Sequence, residues 1–293
     1  MNIKITLLLI VLSLFSCKNT ENKADAYGNF EATEVTVSSE ANGKLMQFNI
    51  TEGQQLKKEQ LVAVVDTIPL HLQKEQLRAS KSVVYTQSKT VSSQVKVLKA
   101  NLQAALRNKK RIENLVKENA ATQKQLDDIN DQITIINKQI SAAKLQDKPI
   151  LKSVNPLNVQ VQILDNKIAN AMVRNPINGT VLTTYAEPFE ITSFGRPLYK
   201  IADLSTMEFK GYISEKQLSE IKIGDTVTIK IDTKNGQKSY NGTVSWIASE
   251  AEFTPKIIQT KDERVNLVYA IKVKVKNDGA IKIGMPAEMW MQQ

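Results

Sequence analysis

The hydrophobic residues in the middle of the chain repeat at the spacing of a coiled coil. One set recurs every seven residues and consists of Leu70, Leu77, Val84, Val91, Leu98, Ala105 and Ile112. A second set begins at Leu126 and alternates steps of three and four residues as far as Ala171, with Asp147 as its one polar member. Two such runs separated by a short polar segment predict two long helices that pack as an antiparallel hairpin.

The segment between the two runs has the features of a tight connection. Thr122 and Gln125 are spaced as a capping box, which predicts that the second arm begins there. Each arm has about 50 residues, so the hairpin is expected to extend for about 75 Å. Such a length favours contact with something distant, although a spacer or an oligomerisation coil would explain it equally well.

Two prolines fall inside the second arm. Pro149 and Pro156 each remove a backbone donor and clash with the preceding turn. Because the hydrophobic repeat keeps its phase across both, we expect a kinked or briefly interrupted arm rather than two independent helices. Asn155 followed by Pro156 matches an N-cap with proline at the first helical position, so the helix is expected to restart there.

Short strand-like segments lie on both sides of the hairpin. They cover residues 34–37, 43–45 and 61–65 before it, and 177–181 and 198–201 after it. From residue 203 onward, further strands at 227–231, 242–247 and 269–275 alternate with Gly and Asn turns, which indicates a small barrel. The predicted fold class is therefore mixed α and β and multidomain, with a long helical insertion between two β segments and a barrel after them.

The N-terminus resembles a lipoprotein signal. Lys4 precedes an apolar run at 5–12 that is too short to span a bilayer as a mature helix. Cys17, the only cysteine, directly follows Ser16 at the position where a bacterial lipoprotein would be cleaved, although Phe15 is bulky for that motif. We expect Cys17 to be lipidated, because three acyl chains exceed the two that stable anchoring requires. A leader cleaved elsewhere nearby, with Cys17 discarded or free, is the alternative.

Charge and composition argue against catalysis. Residues 68–168 hold 17 Lys and Arg against 8 Asp and Glu, so the net charge of +9 belongs to the hairpin, where a solvated helical face would explain it. His71 is the only histidine, and no second imidazole or thiol exists to build a metal site with it. The sequence has no glycine-rich phosphate loop. We expect no enzyme, no cofactor and no metal, and a secreted chain meets no nucleic acid.

Taken together, these features resemble the HlyD-type membrane fusion proteins, the periplasmic adaptors of tripartite exporters. Residues 37–45 and 52–61 resemble the first half of that family's lipoyl-like domain, and 175–181 resemble the second half. True lipoyl and biotin carriers present an acceptor lysine at the turn between the halves. Here a hairpin that begins at residue 67 replaces that turn, so the resemblance implies no carried group.

The resemblance implies a division of the chain into domains. The predicted units are a signal peptide at 1–16, a lipidated linker at 17–27, the first lipoyl-like half at 28–66, the coiled-coil hairpin at 67–172 with its tip at about 117–123, the second lipoyl-like half at 173–202, and the β-barrel at 203–293.

Four residues near the turn fit the family's hairpin-tip motif, whose Arg, Leu and Ser contact a TolC-like outer-membrane channel. They are Arg111, Leu115, Thr122 and Leu126. Thr122 replaces the usual serine and keeps the hydroxyl. The resemblance implies a channel contact here, and chance spacing on a heptad helix is the alternative.

The barrel carries a second resemblance, to adaptors that usually serve ATP-driven exporters. The matching residues are Thr254, Pro255, Lys256, Gln259, Thr260, Glu263 and Arg264. A constrained barrel loop would also explain them, and related adaptors serve resistance-nodulation or major-facilitator transporters.

The implied partners are an ABC-type inner-membrane transporter, a TolC-like channel, the inner membrane through the lipid, and further copies in a ring, commonly hexameric. The competing interpretation is a structural coiled-coil lipoprotein that spans the periplasm without exporting anything.

Overall fold

A computed structural model describes residues 23–234, 236–253 and 267–291. The helices are α1 (Ile68–Lys117), α2 (Gln123–Lys152), α3 (Val154–Asn170) and α4 (Glu215–Leu218). The strands are β1 (Ala26–Glu31), β2 (Glu34–Ser38), β3 (Gly43–Phe48), β4 (Gln55–Leu56), β5 (Leu61–Val65), β6 (Met172–Arg174), β7 (Gly179–Thr184), β8 (Ile191–Thr192), β9 (Pro197–Ala202), β10 (Thr206–Ser214), β11 (Thr226–Thr233), β12 (Gly236–Ile247), β13 (Glu252–Phe253), β14 (Leu267–Lys276) and β15 (Pro286–Met291). The mixed, multidomain fold class predicted from the sequence is confirmed.

The predicted hairpin forms, and α1 is its unbroken arm. This helix has 50 residues, which corresponds to a length of about 75 Å. The seam between the arms buries Ala105 of α1 against Ile129, Ile136 and Ile140 of α2. Leu98, Ala105 and Ile112 of the seven-residue repeat therefore face the other arm, as a coiled coil requires.

The second arm is divided at Ser153. Pro149 lies inside α2, and the Ser153 amide donates to the carbonyl oxygens of Pro149 and Ile150, both at 3.1 Å. Ser153 is also the N-cap of α3, so the predicted interruption exists but the prediction of Asn155 as N-cap is wrong. Pro156 falls within the first turn of α3, where backbone N–H groups have no intrahelical acceptor and a missing donor costs little.

The lipoyl-like domain consists of two four-stranded sheets. Their strand orders are β2-β9-β7-β4 and β6-β5-β3-β8. Each sheet combines strands from before the hairpin with strands from after it, so neither half has a complete sheet alone. Leu45, Val65, Leu198 and Ile201 are fully buried in the shared core.

The barrel is closed by six antiparallel strands. The order is β10-β1-β15-β11-β12-β14, with β14 pairing back to β10 and the short β13 beside β14. Its core includes Phe30 of β1, which packs edge-to-face on Phe209 of β10 with ring centroids 6.0 Å apart. Because the sheet closes on itself, it has no long edge strand with unpaired backbone groups. Closure is a common way for a small all-β domain to avoid such edges.

The position of β1 differs from the predicted domain boundaries. Residues 17–27 were expected to be a linker and 28–66 to be lipoyl-like, yet β1 pairs with β10 and β15 of the barrel. Gly28 lies opposite Gly211, and a side chain on Gly28 would overlap the Lys210 carbonyl oxygen. The strand at Ala26–Glu31 therefore belongs to the barrel, and the chain enters the lipoyl-like domain between Glu31 and Glu34.

Asn175 connects the two lipoyl-like halves across the inserted hairpin. Its side chain is fully buried, and its amide donates to the Lys57 carbonyl oxygen at 3.0 Å and to that of Ile177 at 2.5 Å. Its Oδ1 accepts from the Tyr199 hydroxyl at 2.9 Å. Burial raises the pKa of Tyr199 well above its usual range, so the hydroxyl stays a neutral donor.

We predict that Asn175→Ala lowers the free energy of unfolding by roughly 2–4 kcal/mol, because the buried Tyr199 hydroxyl loses its acceptor and the carbonyl oxygens of Lys57 and Ile177 each lose a donor. Urea unfolding measures the change. Asn178→Ala is the matched control, since Asn178 accepts one exposed bond from the Lys58 amide at 2.8 Å. Equal destabilisation by the two substitutions would contradict the role of Asn175.

Candidate functional site: the hairpin tip

The connection between the arms is fixed by backbone hydrogen bonds at the end of α1. Asn119 adopts a left-handed conformation with φ of 57°. The Ala120 amide donates to the Leu115 carbonyl oxygen at 2.7 Å, and the Asn119 amide donates to that of Val116 at 3.0 Å. These two bonds form a Schellman motif with Asn119 in the position that glycine usually occupies. Sequence reasoning missed Asn119, although asparagine is the residue besides glycine that tolerates this conformation.

The predicted capping box at the start of α2 is confirmed. The Thr122 hydroxyl accepts from the Gln125 amide at 3.3 Å, and the Thr122 amide donates to Gln125 Oε1 at 2.9 Å. Both ends of the short turn are therefore fixed by hydrogen bonds, one end by the Schellman motif and the other by the capping box. The tip presents a defined shape rather than a frayed loop.

The four residues of the tip motif lie at the same end of the hairpin but have different environments. Arg111 and Thr122 are exposed, and the Arg111 guanidinium donates to Asn108 Oδ1 at 2.9 Å. Leu115 is 38% exposed. Leu126 instead packs against the buried seam cluster. Three of the four can therefore touch a partner, while Leu126 supports the hairpin.

The two arms carry different charges near the tip. On α1, Arg107, Lys110 and Arg111 are exposed, and Lys109 lies 3.7 Å from Glu113. On α2, Asp128 lies 3.4 Å from Lys124, and Asp127 is exposed beside it. A guanidinium next to an exposed leucine suits a partner that offers carboxylates and shallow apolar surface, because arginine binds carboxylates bidentately.

The remaining predicted site residues are not among those that the structure describes. Cys17 and the barrel residues Thr254, Pro255, Lys256, Gln259, Thr260, Glu263 and Arg264 lie outside the described residues. Within the described ranges, no three His, Cys, Asp or Glu residues are placed to hold a metal ion. In the same part of the chain, no helix is both long and apolar enough to cross a membrane.

A sandwich of two sheets that carries a long hairpin, followed by a closed barrel, is the architecture of a periplasmic adaptor. Residues 33–187 match the family model described as the barrel-sandwich hybrid domain of RND membrane fusion proteins. The match spans more than half of the chain, so this protein belongs to the membrane fusion protein family. It is an adaptor rather than an enzyme. The match begins just after β1, in agreement with the place of that strand in the barrel.

The chain is also similar to individual proteins over most of its length. A UPF0194 membrane protein from the asrC 5′ region of Acidithiobacillus ferridurans is 24% identical over 298 residues, covering 91% of this chain and 86% of that protein. The UPF0194 membrane protein YbhG of Salmonella gallinarum is 27% identical over 290 residues, covering 89% and 86%. The crystal structure of MacA from Actinobacillus actinomycetemcomitans aligns with a TM-score of 0.60 at 22% identity, covering 90% of this chain and 76% of MacA, which shows a shared fold.

Thr122→Ala is expected to loosen the tip, because it removes the acceptor for the Gln125 amide, and loss of an N-cap costs about 1 kcal/mol. Hydrogen exchange should show faster exchange in the first turn of α2 and no change in the middle of α1. Thr122→Ser keeps the hydroxyl and is expected to exchange like the parent protein. Identical exchange in all three proteins would show that the box does not stabilise the tip.

Proposed function

We propose that this protein is a lipid-anchored periplasmic adaptor that connects an inner-membrane exporter to a TolC-like outer-membrane channel for the export of small molecules. The observation that carries the proposal is the continuous 50-residue α1 that ends at an exposed, ordered and basic tip. A helix of about 75 Å is much longer than a small domain needs. Its far end is where a distant partner is bound.

The channel contact is assigned to Arg111, Leu115 and Thr122. The supporting observations are the exposure of all three and the fixed turn between them. Leu115 adds apolar area, and Arg111 can reach carboxylates of the channel. Leu126 belongs to the same motif but acts by holding the second arm in the seam.

We assign attachment at the inner membrane to the lipid on Cys17 and to contacts with the transporter. We favour an ABC-type transporter because residues 254–264 resemble the barrel of adaptors that serve ATP-driven exporters. The matching family model is named for RND adaptors, so copurification of the transporter is the measurement that decides its class. Copies of the adaptor are expected to assemble into a ring.

A structural coiled-coil lipoprotein is the second candidate, because the length of the hairpin alone would suit a spacer. The two candidate functions predict different phenotypes in cells that lack the gene. Loss of an adaptor raises susceptibility to drugs or bile salts, and the channel copurifies with the tagged protein. If neither effect is observed, the structural interpretation is favoured.

Cys17→Ser is expected to leave the fold intact and to release the protein from the membrane, since the lipid is its proposed anchor. The measurement is sedimentation with membranes after a high-salt wash. It is made in a strain without the transporter, because binding to the transporter would retain the variant. A variant that still sediments would rule out the lipid anchor.

Leu115→Asp and Arg111→Asp are each expected to abolish export while expression, lipidation and transporter binding persist. Each places an unmatched negative charge in the channel contact, and burial of such a charge costs several kcal/mol. The measurements are drug or bile-salt susceptibility of the complemented deletion strain and copurification of the channel.

Two controls separate the tip from the rest of the hairpin. Leu106→Asp changes a leucine that is 45% exposed on the same helix but away from the turn, and normal export is expected. Leu98→Asp changes a seam residue and is expected to lower the melting temperature of the hairpin. Normal export by the tip variants, or loss of export only because the hairpin unfolds, would contradict the assignment of the tip as the docking surface.

A further inference from the structure

The outer wall of the barrel has an open cavity that takes no part in the proposed channel contact. Its volume is about 480 Å³, which lies within the range of small-molecule sites, about 300–1,000 Å³. The residues that line it are on or beside β10, β1, β15 and β11, which are consecutive neighbours in the barrel. The cavity is therefore a feature of one continuous piece of sheet.

A row of small residues explains why the wall is recessed at this place. Gly211, Gly28 and Ala287 lie side by side on β10, β1 and β15, at positions that alternate with the outward side chains. A side chain on Gly28 would overlap the Lys210 carbonyl oxygen, and one on Gly211 would overlap the Phe209 ring. The backbone of this row can therefore lie close to the core, and Gly28 and Ala287 themselves line the cavity.

Two tyrosines stand on one side of this recess. Tyr212 of β10 and Tyr27 of β1 are paired across the two strands, and Tyr27 is 44% exposed. Side chains that are directly opposite on neighbouring strands have Cβ atoms about 5 Å apart. The two tyrosines are therefore neighbours, and both of them line the cavity.

Three carboxylates belong to the same lining. Glu288 of β15 lies opposite Tyr27 on the side away from Tyr212, so two aromatic residues and a carboxylate form one row across three strands. Glu31 and Asp232 also line the cavity. Within the part of the chain that the structure describes, none of the three carboxylates has a lysine or arginine nitrogen within 4.0 Å. Their negative charge is therefore not neutralised by an ion pair.

The other polar groups nearby leave this charge in place. The Gln237 side-chain amide, which is neutral, donates to the carboxylates on β11 and β15, in each case at 3.3 Å. Lys230 lines the cavity, but its ammonium lies over the Trp290 ring, 4.2 Å from the centroid. Lys210 is the second lysine of the lining. Carboxylates therefore outnumber ammonium groups, and one of the two ammonium groups already has an aromatic partner.

We propose that this cavity binds an organic cation, that is, a quaternary ammonium or phosphonium group carried by an apolar molecule of drug size. Aromatic rings attract such a cation through their negatively charged faces. The carboxylates complement its charge, and the recessed backbone gives its apolar groups a place against the wall. The site goes beyond the adaptor function above and does not depend on the channel contact, because its lining is confined to the barrel.

The sign of the charge distinguishes a specific site from general attraction. The chain has a net charge of +9, so as a whole it repels cations and attracts anions. The cavity has the opposite balance. Saturable binding of a cation would therefore point to a local site of this kind, whereas weak binding of an anion would be expected anywhere on the protein.

Isothermal titration calorimetry of the purified full-length protein with tetraphenylphosphonium tests the site. This ion carries a positive charge inside a shell of phenyl groups, and saturable binding is expected. Tyr27→Ala is expected to weaken binding about tenfold, because it removes an aromatic face and apolar area. Tyr185→Ala is the matched control, since Tyr185 is 43% exposed but follows β7 in the lipoyl-like domain. Its affinity is expected to equal that of the parent protein.

Two substitutions of opposite sign test the charge preference. Glu288→Gln keeps the size of the side chain and removes a negative charge, so binding is expected to weaken. Lys210→Met keeps the length and removes a positive charge, so binding is expected to strengthen. Each change is expected to be about threefold, because partly exposed charges are screened by water. Opposite signs for both changes would mean that the cavity prefers anions and would overturn the proposal.

Tetraphenylborate, titrated separately, distinguishes the effect of charge from that of the phenyl groups, because it has the same shape and the opposite charge. Its binding is expected to be the same in Tyr27→Ala as in the parent protein. The proposal is overturned if tetraphenylphosphonium does not saturate, if Tyr27→Ala and Tyr185→Ala bind it equally, or if both ions depend on Tyr27 to the same extent. Urea unfolding checks that each variant is folded. These measurements need neither transporter nor channel, so their outcome is separate from that of the adaptor function.

Discussion

The pairing of β5 with β6 at the base of the hairpin is the constraint on which the rest of the protein depends. Val64 lies opposite Met172, and the Val65 amide donates to the Ala171 carbonyl oxygen at 2.8 Å. The last strand before the insertion and the first strand after it are therefore neighbours. Both arms start side by side from this sheet, which fixes their relative register at the base of the hairpin.

This arrangement explains why one arm can be interrupted without loss of the hairpin. The seam that α1 presents is continuous, so α2 and α3 can each pack against it and remain aligned across Ser153. Just before the break, Asp147 occupies a seam position, and its Oδ1 is buried without a hydrogen-bond partner among the described residues. The ion pair between Lys74 and Asp165 at 2.5 Å joins α1 to α3 below the break, although a partly exposed pair of this kind contributes only about 0–1 kcal/mol.

The features that the sequence predicted well are those encoded by neighbouring residues. A heptad repeat and a capping box depend on spacings of three to seven residues, and both the seam through Leu98 and the box at Thr122 follow from them. The place of β1 could not be predicted in this way, because its partners Phe209 and Met289 are distant in sequence and pairing depends on closure of the barrel. The restart of the helix was also misplaced: Ser153 precedes the new helix without a side-chain capping bond, and Val154, its first residue, is buried, so the capping pattern at Asn155 does not mark the boundary.

The distribution of charge links the fold to the proposed function. The net positive charge of the hairpin would be explained by a solvated helical surface. In that case, charged residues are expected in every outward-facing column, where a column is a set of residues that recur every seven positions along the helix. Instead, the outward columns of α1 that border the groove with the second arm are uncharged from Gln73 to Ala104. Lysine and arginine would be no less compatible with the helix at those positions, since their helix propensities equal or exceed those of Gln, Ser and Asn. The helix itself therefore does not require these columns to be uncharged.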